Sequence, residues 1–388
     1  MNSGKLVFAQ LMELVHPEQF RRCVARYKGE YKVKSFSCWD QFLCMAFGQL
    51  TFRESLRDIE ACLRSRREQL YHFGMRGEIS HSTLADANAN RDWRIYADLA
   101  QGLIRTARHL YQNDPLGVEL DNTVYAFDST TIDLCLTLFP WARFQRRKAA
   151  IKLHTLLDVR GSIPTFISIS DGKQADVEVL DELVLEPGSF YVLDRGYVDF
   201  GRLYAFVQAS AFFVTRSKRG LRFTRVESYA VDFAAGVRVD QLVRFKVTKS
   251  LKRYPDTLRR VRYFDKETGK DLIFLTNNLR LPASVVAYLY KCRWRVELFF
   301  KWIKQNLRIK HFFGTSSNAV KTQVWIAVCV YTLVAIAKKQ IRSERTLSTI
   351  MQILSVNAFN KEALAEVLTE DQHALKIPDS CNQLMLWT

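Results

Sequence analysis

One carboxylate sits among a crowd of cations between Lys291 and Lys310, where seven residues are Lys or Arg and Glu297 is the only acid. At about 100° per residue, Tyr290, Arg293, Glu297 and Lys304 fall within roughly 60° of arc, so a helix presents all four on one stripe. A lone carboxylate in a basic groove suits a metal ligand working on a polyanion. The plainer alternative is a solvated face on which Glu297 makes i,i+4 ion pairs with Arg293 and Lys301, although such a face usually mixes signs. Two aspartates stand in a second kind of context. Thr123-Val-Tyr-Ala-Phe127 is a β-prone run that ends on Asp128, and Phe190-Tyr-Val-Leu193 ends on Asp194, with Gly196 permitting a sharp exit. A strand fixes the backbone while its last side chain reaches the open edge of a sheet, and two such carboxylates meet when their strands are neighbours. A turn former or a cap is the alternative at Asp128.

The elements that must position these groups can be read around them. The run after Pro282 has no Gly or Pro as far as Leu307, which predicts a helix, and Leu289, Val296, Phe300, Ile303 and Leu307 give it an apolar seam. Strands are expected over 153–158 and 163–169, joined by the turn Asp158-Val-Arg-Gly161-Ser162, and again over 211–215 and 272–276. Helices are expected over 176–183 and 200–209. His154, in the first of those strands, is at least as well explained by a structural hydrogen bond as by catalysis. From Arg216 to Lys270 the helical pattern is gone and strand-like runs alternate with cations, which predicts a basic β-rich insertion able to track phosphates. Ahead of the first aspartate, Leu6 to Leu110 reads as helical, with Ser37 as a cap. The helix over 55–63 and the one opened by Ser80 could form a helix-turn-helix reader, or belong to a plain bundle with solvated arginines.

The 388 residues suffice for two or three domains, and a net charge of +17 points to a polyanionic partner, nucleic acid or an acidic membrane. The longest largely apolar run, Val324 to Ala337, has 14 residues where a membrane span needs about 20, so it reads as a buried helix. No signal peptide is expected from the first residues. The eight cysteines never form CxxC or a zinc-like cluster with histidine, and so read as reduced thiols of a cytoplasmic protein.

The spacing Tyr290, two residues, Arg293, three residues, Glu297, six residues, Lys304 resembles the signature of bacterial DDE transposases of the insertion-sequence-four family. The runs into Asp128-Ser-Thr and Leu-Asp194-Arg-Gly-Tyr resemble that family's first and second catalytic motifs, and Lys148 to Asp158 is also similar to it. The likeness spans roughly residues 120 to 335. It implies an α/β fold with a ribonuclease H-like catalytic core, a mixed sheet with helices on both faces, over 116–215 and 271–340. It implies an all-α N-terminal DNA-binding domain over 1–115, while the residues themselves read as a β-rich insertion over 216–270 and a helical tail over 341–388. Asp128, Asp194 and Glu297 would be the catalytic metal ligands. Three carboxylates can hold two Mg²⁺ or Mn²⁺ ions about 4 Å apart for in-line phosphoryl transfer. Tyr290, Arg293 and Lys304 would bind DNA. The implied activity is cleavage of an element's ends and strand transfer to target DNA by a homodimer on double-stranded DNA, without a membrane partner, at the nucleoid. The alternatives are a transposase-derived DNA-binding protein that does not cut and a metal-dependent nuclease on the same fold.

Overall fold

The computed structural model describes residues 4–75, 77–145, 148–307 and 312–369. Arg146, Arg147, Arg308, Lys310, Cys381 and the tail from residue 370 onward lie outside the described residues.

The chain begins with helices α1 (Val7–Met12), α2 (Pro17–Arg26), α3 (Cys38–Leu50), α4 (Leu56–Arg64), α5 (Leu70–Phe73), α6 (His81–Asn90) and α7 (Arg94–Tyr111). Ser37 starts α3 with a reciprocal cap: its hydroxyl accepts from the Asp40 amide at 3.0 Å, and Asp40 accepts from the Ser37 amide at 2.8 Å. Ser37→Ala is expected to cost about 1 kcal/mol, read from the urea midpoint at unchanged slope. The helices α4 and α6, read as a helix-turn-helix or as part of a plain bundle, are not joined by a short turn. Between them lie a 3-10 turn at Arg67–Gln69 and α5, because Leu70, Phe73, Met75 and Ile79 are buried and pull this segment into the core.

The sheet begins with β1 (Val124–Leu134), β2 (Arg143–Gln145), β3 (Lys148–Asp158), β4 (Ile163–Asp171) and β5 (Phe190–Leu193). The 176–183 stretch is a 3-10 helix, Asp176–Glu182. At the β3–β4 turn Gly161 adopts φ 70°, and a Cβ there would lie 2.4 Å from the Tyr111 ring. Next come α8 (Phe200–Gln208), β6 (Phe212–Arg216), β7 (Phe223–Ser228), β8 (Val237–Phe245), α9 (Thr248–Arg253), β9 (Leu258–Asp265) and β10 (Lys270–Thr276). Among the described residues these strands form one ten-stranded mixed sheet in the order β2-β3-β1-β5-β6-β10-β9-β8-β7, with β4 on β3. The β1–β5 and β5–β6 pairs are parallel. The β-rich stretch after Arg216 therefore continues the central sheet, since β10 pairs with both β6 and β9, and it contains the helical turn α9.

Alternation along the strands sorts side chains to two faces. Val124 and Ala126 of β1 join one buried cluster, and Tyr125 and Phe127 join the other. The second face is covered by α8 and α9 through Leu203, Phe206 and Leu251. The first is covered by α10 (Ala283–Cys292), α11 (Trp294–Asn306) and, over β4, α7, with α12 (Ser317–Ile341) packed behind against α7. By length and composition α12 could cross a membrane, but 94% of its apolar window is buried inside the protein. The 14-residue apolar run is thus the middle of a 25-residue helix. The N-terminal helices, α13 (Leu347–Asn357) and α14 (Leu364–Leu368) bury their apolar faces in the same cluster as α12.

Candidate active site

Asp128 sits where β1 loses its parallel neighbour. The β1–β5 ladder ends at Phe127 opposite Leu193, while β1 runs on to Leu134 against β3, with Asp128 opposite Thr155. The strand therefore does not end at Asp128 as its sequence suggested: Thr130, Thr131 and Ile132 are β-branched and extend the ladder with β3. Asp194 is the first residue beyond β5, and its Oδ2 accepts from the Gly196 amide at 3.2 Å, which caps the turn Arg195–Tyr197. Neighbouring strands lie about 4.8 Å apart, so the two aspartates stand side by side at the carboxyl end of a parallel pair. That edge is where open α/β sheets bind ligands.

The stripe from α10 and α11 faces this edge. Tyr290 donates its hydroxyl to Asp194 Oδ1 at 3.2 Å. Arg293 donates to Asp128 Oδ2 at 2.7 Å and to Glu297 Oε1 at 2.6 Å. Lys304 donates to Thr130 Oγ1 at 2.6 Å and to the Thr131 carbonyl at 3.0 Å. The single helix expected here divides at Arg293, where i→i+3 bonds link the Arg293 amide to the Tyr290 carbonyl and the Val296 amide to the Arg293 carbonyl, both at 3.1 Å. The seam residues Leu289, Val296, Phe300, Ile303 and Leu307 are all buried. Thr130 and Thr131, the partners of Lys304, were given no role by the sequence, although Thr130 closes the Asp128-Ser-Thr motif and Thr131 follows it.

Burial pushes the Asp128 carboxyl up to about 6, with the nearby Asp194 and Glu297 charges adding to the shift against the Ser129 amide and Arg293. Asp194 moves the other way. Burial raises it, but the amides of Gly196 and Arg195, with Arg293 and Tyr290, outweigh burial and hold it below the usual carboxylate range. Burial raises the Tyr290 phenol to about 12, so it stays a donor at neutral pH.

Residues 119–333 match the model of the "Transposase DDE domain", a span that contains all of these groups. The chain belongs to the DDE transposase family. Residues 3–76 match a domain of unknown function, DUF4372. A Sinorhizobium fredii protein named as a transposase, y4zB, is 35% identical over 264 residues, 66% of this chain and 71% of that protein. A Geobacillus stearothermophilus protein named as a transposase for insertion sequence element IS5377 is 30% identical over 225 residues, 57% of this chain and 58% of that protein. The cryo-EM structure of a piggyBac transposase synaptic complex with hairpin DNA aligns at TM-score 0.47 and 11% identity, covering 98% of this chain and 88% of that one. The insertion-sequence-four resemblance agrees with the family match, and the chain is an insertion-sequence DNA transposase, an enzyme that cuts and joins DNA.

DDE transposases generally use divalent metal ions. In this transposase, no three His, Cys, Asp or Glu side chains among the described residues stand close enough to hold an ion as they are. The positive charge between Asp128 and Glu297 is the Arg293 guanidinium, whose side chain is only 14% exposed. The donor chemistry still fits a hard cation, because the acceptors around that charge are all carboxylate oxygens. The other acids near these motifs, and His154, stand apart from the stripe's hydrogen bonds. Asp199 caps α8 and Asp181 pairs with Arg202 at 2.8 Å. Asp133 is exposed on β1, and His154 is buried with Nε2 2.8 Å from Ser170 Oγ, its pKa lowered by burial.

Proposed function

We propose that Asp128, Asp194 and Glu297 are the catalytic metal ligands of this transposase, on a ribonuclease H-like core, and that they serve cleavage of the element's ends and strand transfer. The observation that carries this reading is that Arg293 bridges Asp128 and Glu297, distant in the chain, while Tyr290 of the same stripe bonds Asp194, next to Asp128 at the carboxyl edge of β1 and β5. When bound there, two Mg²⁺ or Mn²⁺ ions would act as Lewis acids on the attacking and leaving oxygens. The protein's own part is positioning. Tyr290 and Arg293 orient phosphate oxygens beside the aspartates, the phenol as a neutral donor and the guanidinium as a planar fork. Lys304, on the same stripe, contacts a phosphate farther along the duplex.

The remaining parts of the reading follow charge and exposure. The helical segment 1–115 recognises the element's ends, the basic strands of 216–270 track phosphates, and 271–340 completes the catalytic core begun at 116–215. The active form is a homodimer that pairs two ends, working at the nucleoid, with 341–388 as a helical tail. The test is binding and Mg²⁺-dependent nicking of a duplex copied from the repeat that borders the gene, against a scrambled duplex of equal length. Equal nicking of both would exclude end-specific cleavage.

Lys304→Ala is expected to weaken binding of that duplex and to make the slope of log K against log salt shallower by about 0.9, one phosphate's share. Because Lys304 also holds Thr130 and Thr131, a melt accompanies the titration. A lower melting temperature with an unchanged salt slope would make the lysine a brace for β1 and nothing more.

A further inference from the structure

Most of the oxygens that a divalent ion would need already accept hydrogen bonds from the protein. Asp128 Oδ1 accepts from the Ser129 amide at 2.8 Å, and its Oδ2 accepts from Arg293 at 2.7 Å. Both oxygens of Asp194 are engaged, by Tyr290 and by the Gly196 amide. Glu297 Oε1 accepts the other arm of the guanidinium at 2.6 Å. Arg293 is thus held as a fork between two acids, with its guanidinium carbon 5.8 Å from the centroid of the Tyr290 ring. The fork is incomplete, since its Nε is buried without a hydrogen-bond partner.

We propose that Arg293 is an internal competitor for the metal, closing the centre to divalent ions until a DNA phosphate draws the guanidinium away. The inference rests on the reading of Asp128, Asp194 and Glu297 as the metal ligands. A guanidinium and a divalent cation cannot occupy the same oxygens of Asp128 and Glu297, so ion binding carries the cost of displacing the fork. A phosphate offers the displaced group an equivalent planar, bidentate partner and removes that cost. Metal and DNA then bind cooperatively, and linkage requires the coupling to be reciprocal: DNA tightens the metal by the factor by which the metal tightens DNA. The consequence is specificity of a simple kind. The enzyme without DNA holds little metal, and cutting competence is assembled at a phosphate.

The test is a Mn²⁺ titration of the full-length protein at pH 8, above the range of Asp128, followed by loss of the free-ion paramagnetic resonance signal. It is run with and without an end duplex made uncleavable by a phosphorothioate, after subtraction of ion bound by duplex alone. Arg293→Ala is expected to bind Mn²⁺ about tenfold or more tighter than the parent without DNA. The duplex is expected to tighten the parent by about tenfold or more and Arg293→Ala by less than about threefold. Arg293→Lys keeps the charge but not the fork, and its affinity is expected between the two. Arg295→Ala removes a like charge whose guanidinium donates to the Val159 carbonyl at 2.7 Å instead, and it is expected to leave affinity within about threefold.

Parent-like affinity in folded Arg293→Ala and Arg293→Lys overturns the proposal, as does an equal gain in Arg295→Ala. Failure of the underlying reading looks different. Mn²⁺ would then bind with the same stoichiometry in Asp194→Asn and Glu297→Gln as in the parent.

Discussion

Asp194→Asn, and separately Glu297→Gln, are expected to lower the single-turnover rate of end cleavage by about 10³-fold or more while the protein stays folded and bound to its DNA. Lewis-acid stabilisation of a transferring phosphoryl group is worth several kcal/mol, and each 1.4 kcal/mol is about tenfold in rate. Both changes keep the shape. Asn keeps one acceptor oxygen, which can stay on the Gly196 amide while its NH2 faces the Tyr290 hydroxyl, an oxygen able to accept, and Gln can still accept from Arg293, so most local hydrogen bonds of the folded state survive. What each variant loses is a negative charge in a site where Asp194 is held ionised by backbone amides and nearby Arg293. End binding is expected to hold or tighten, because a carboxylate facing phosphates has been removed. Asp199→Asn is the matched control: that aspartate caps α8 and pairs with Arg253 at 3.1 Å, away from the stripe, and its substitution should leave the rate unchanged. A rate within about tenfold of the parent in Asp194→Asn or Glu297→Gln would remove these carboxylates from the chemistry.

The contrast between Asp128 and Asp194 shows what local sequence can and cannot report. Phe190 to Leu193 is a strand followed by Asp194 and a capped turn, and the sequence displays each of those steps. Asp128 follows an equally apolar run, but its strand continues because β3 supplies a partner through Leu134, and that partner lies in another part of the chain. The helical stripe was legible for the opposite reason, since periodicity within one segment is enough to align Tyr290, Arg293, Glu297 and Lys304. What periodicity could not show is that Arg293 turns inward to a carboxylate 165 positions away. The stretch after Arg216 was legible as strands, yet its place in the central sheet depends on β10 pairing with β6, a contact made across some 60 positions. Helix pairs suffer similarly. Residues 65–80 look like a connection by composition, and only the burial of Leu70 and Phe73 makes them part of the helical core.

Arg259→Ala is expected to destabilise the folded chain by about 3–5 kcal/mol, the cost of leaving a buried charge without its partner. The Arg259 side chain is 6% exposed and that of Asp240 is 4% exposed, and they meet as a two-pronged pair at 2.8 and 2.6 Å between β9 and β8. Nothing in Val237 to Phe245 or Leu258 to Asp265 distinguishes these two from the neighbouring charged residues, so the sequence treats Arg259 as one more member of a basic face. The remaining arm of Arg259 donates to the Leu281 carbonyl, one residue before the Pro282 that opens α10. The same guanidinium therefore ties the far half of the sheet to the start of the helix that carries Tyr290. Two effects can then be separated. Replacing both partners with apolar residues, Arg259→Met with Asp240→Leu, is expected to recover most of the lost stability, because buried ion pairs exchange for packed apolar side chains at little net cost. The double variant still lacks the bond to Leu281. If that bond registers α10 against the sheet, urea unfolding of the double variant returns towards the parent while its end-cleavage rate stays depressed. Full recovery of both would confine Arg259 to holding β8 and β9 together.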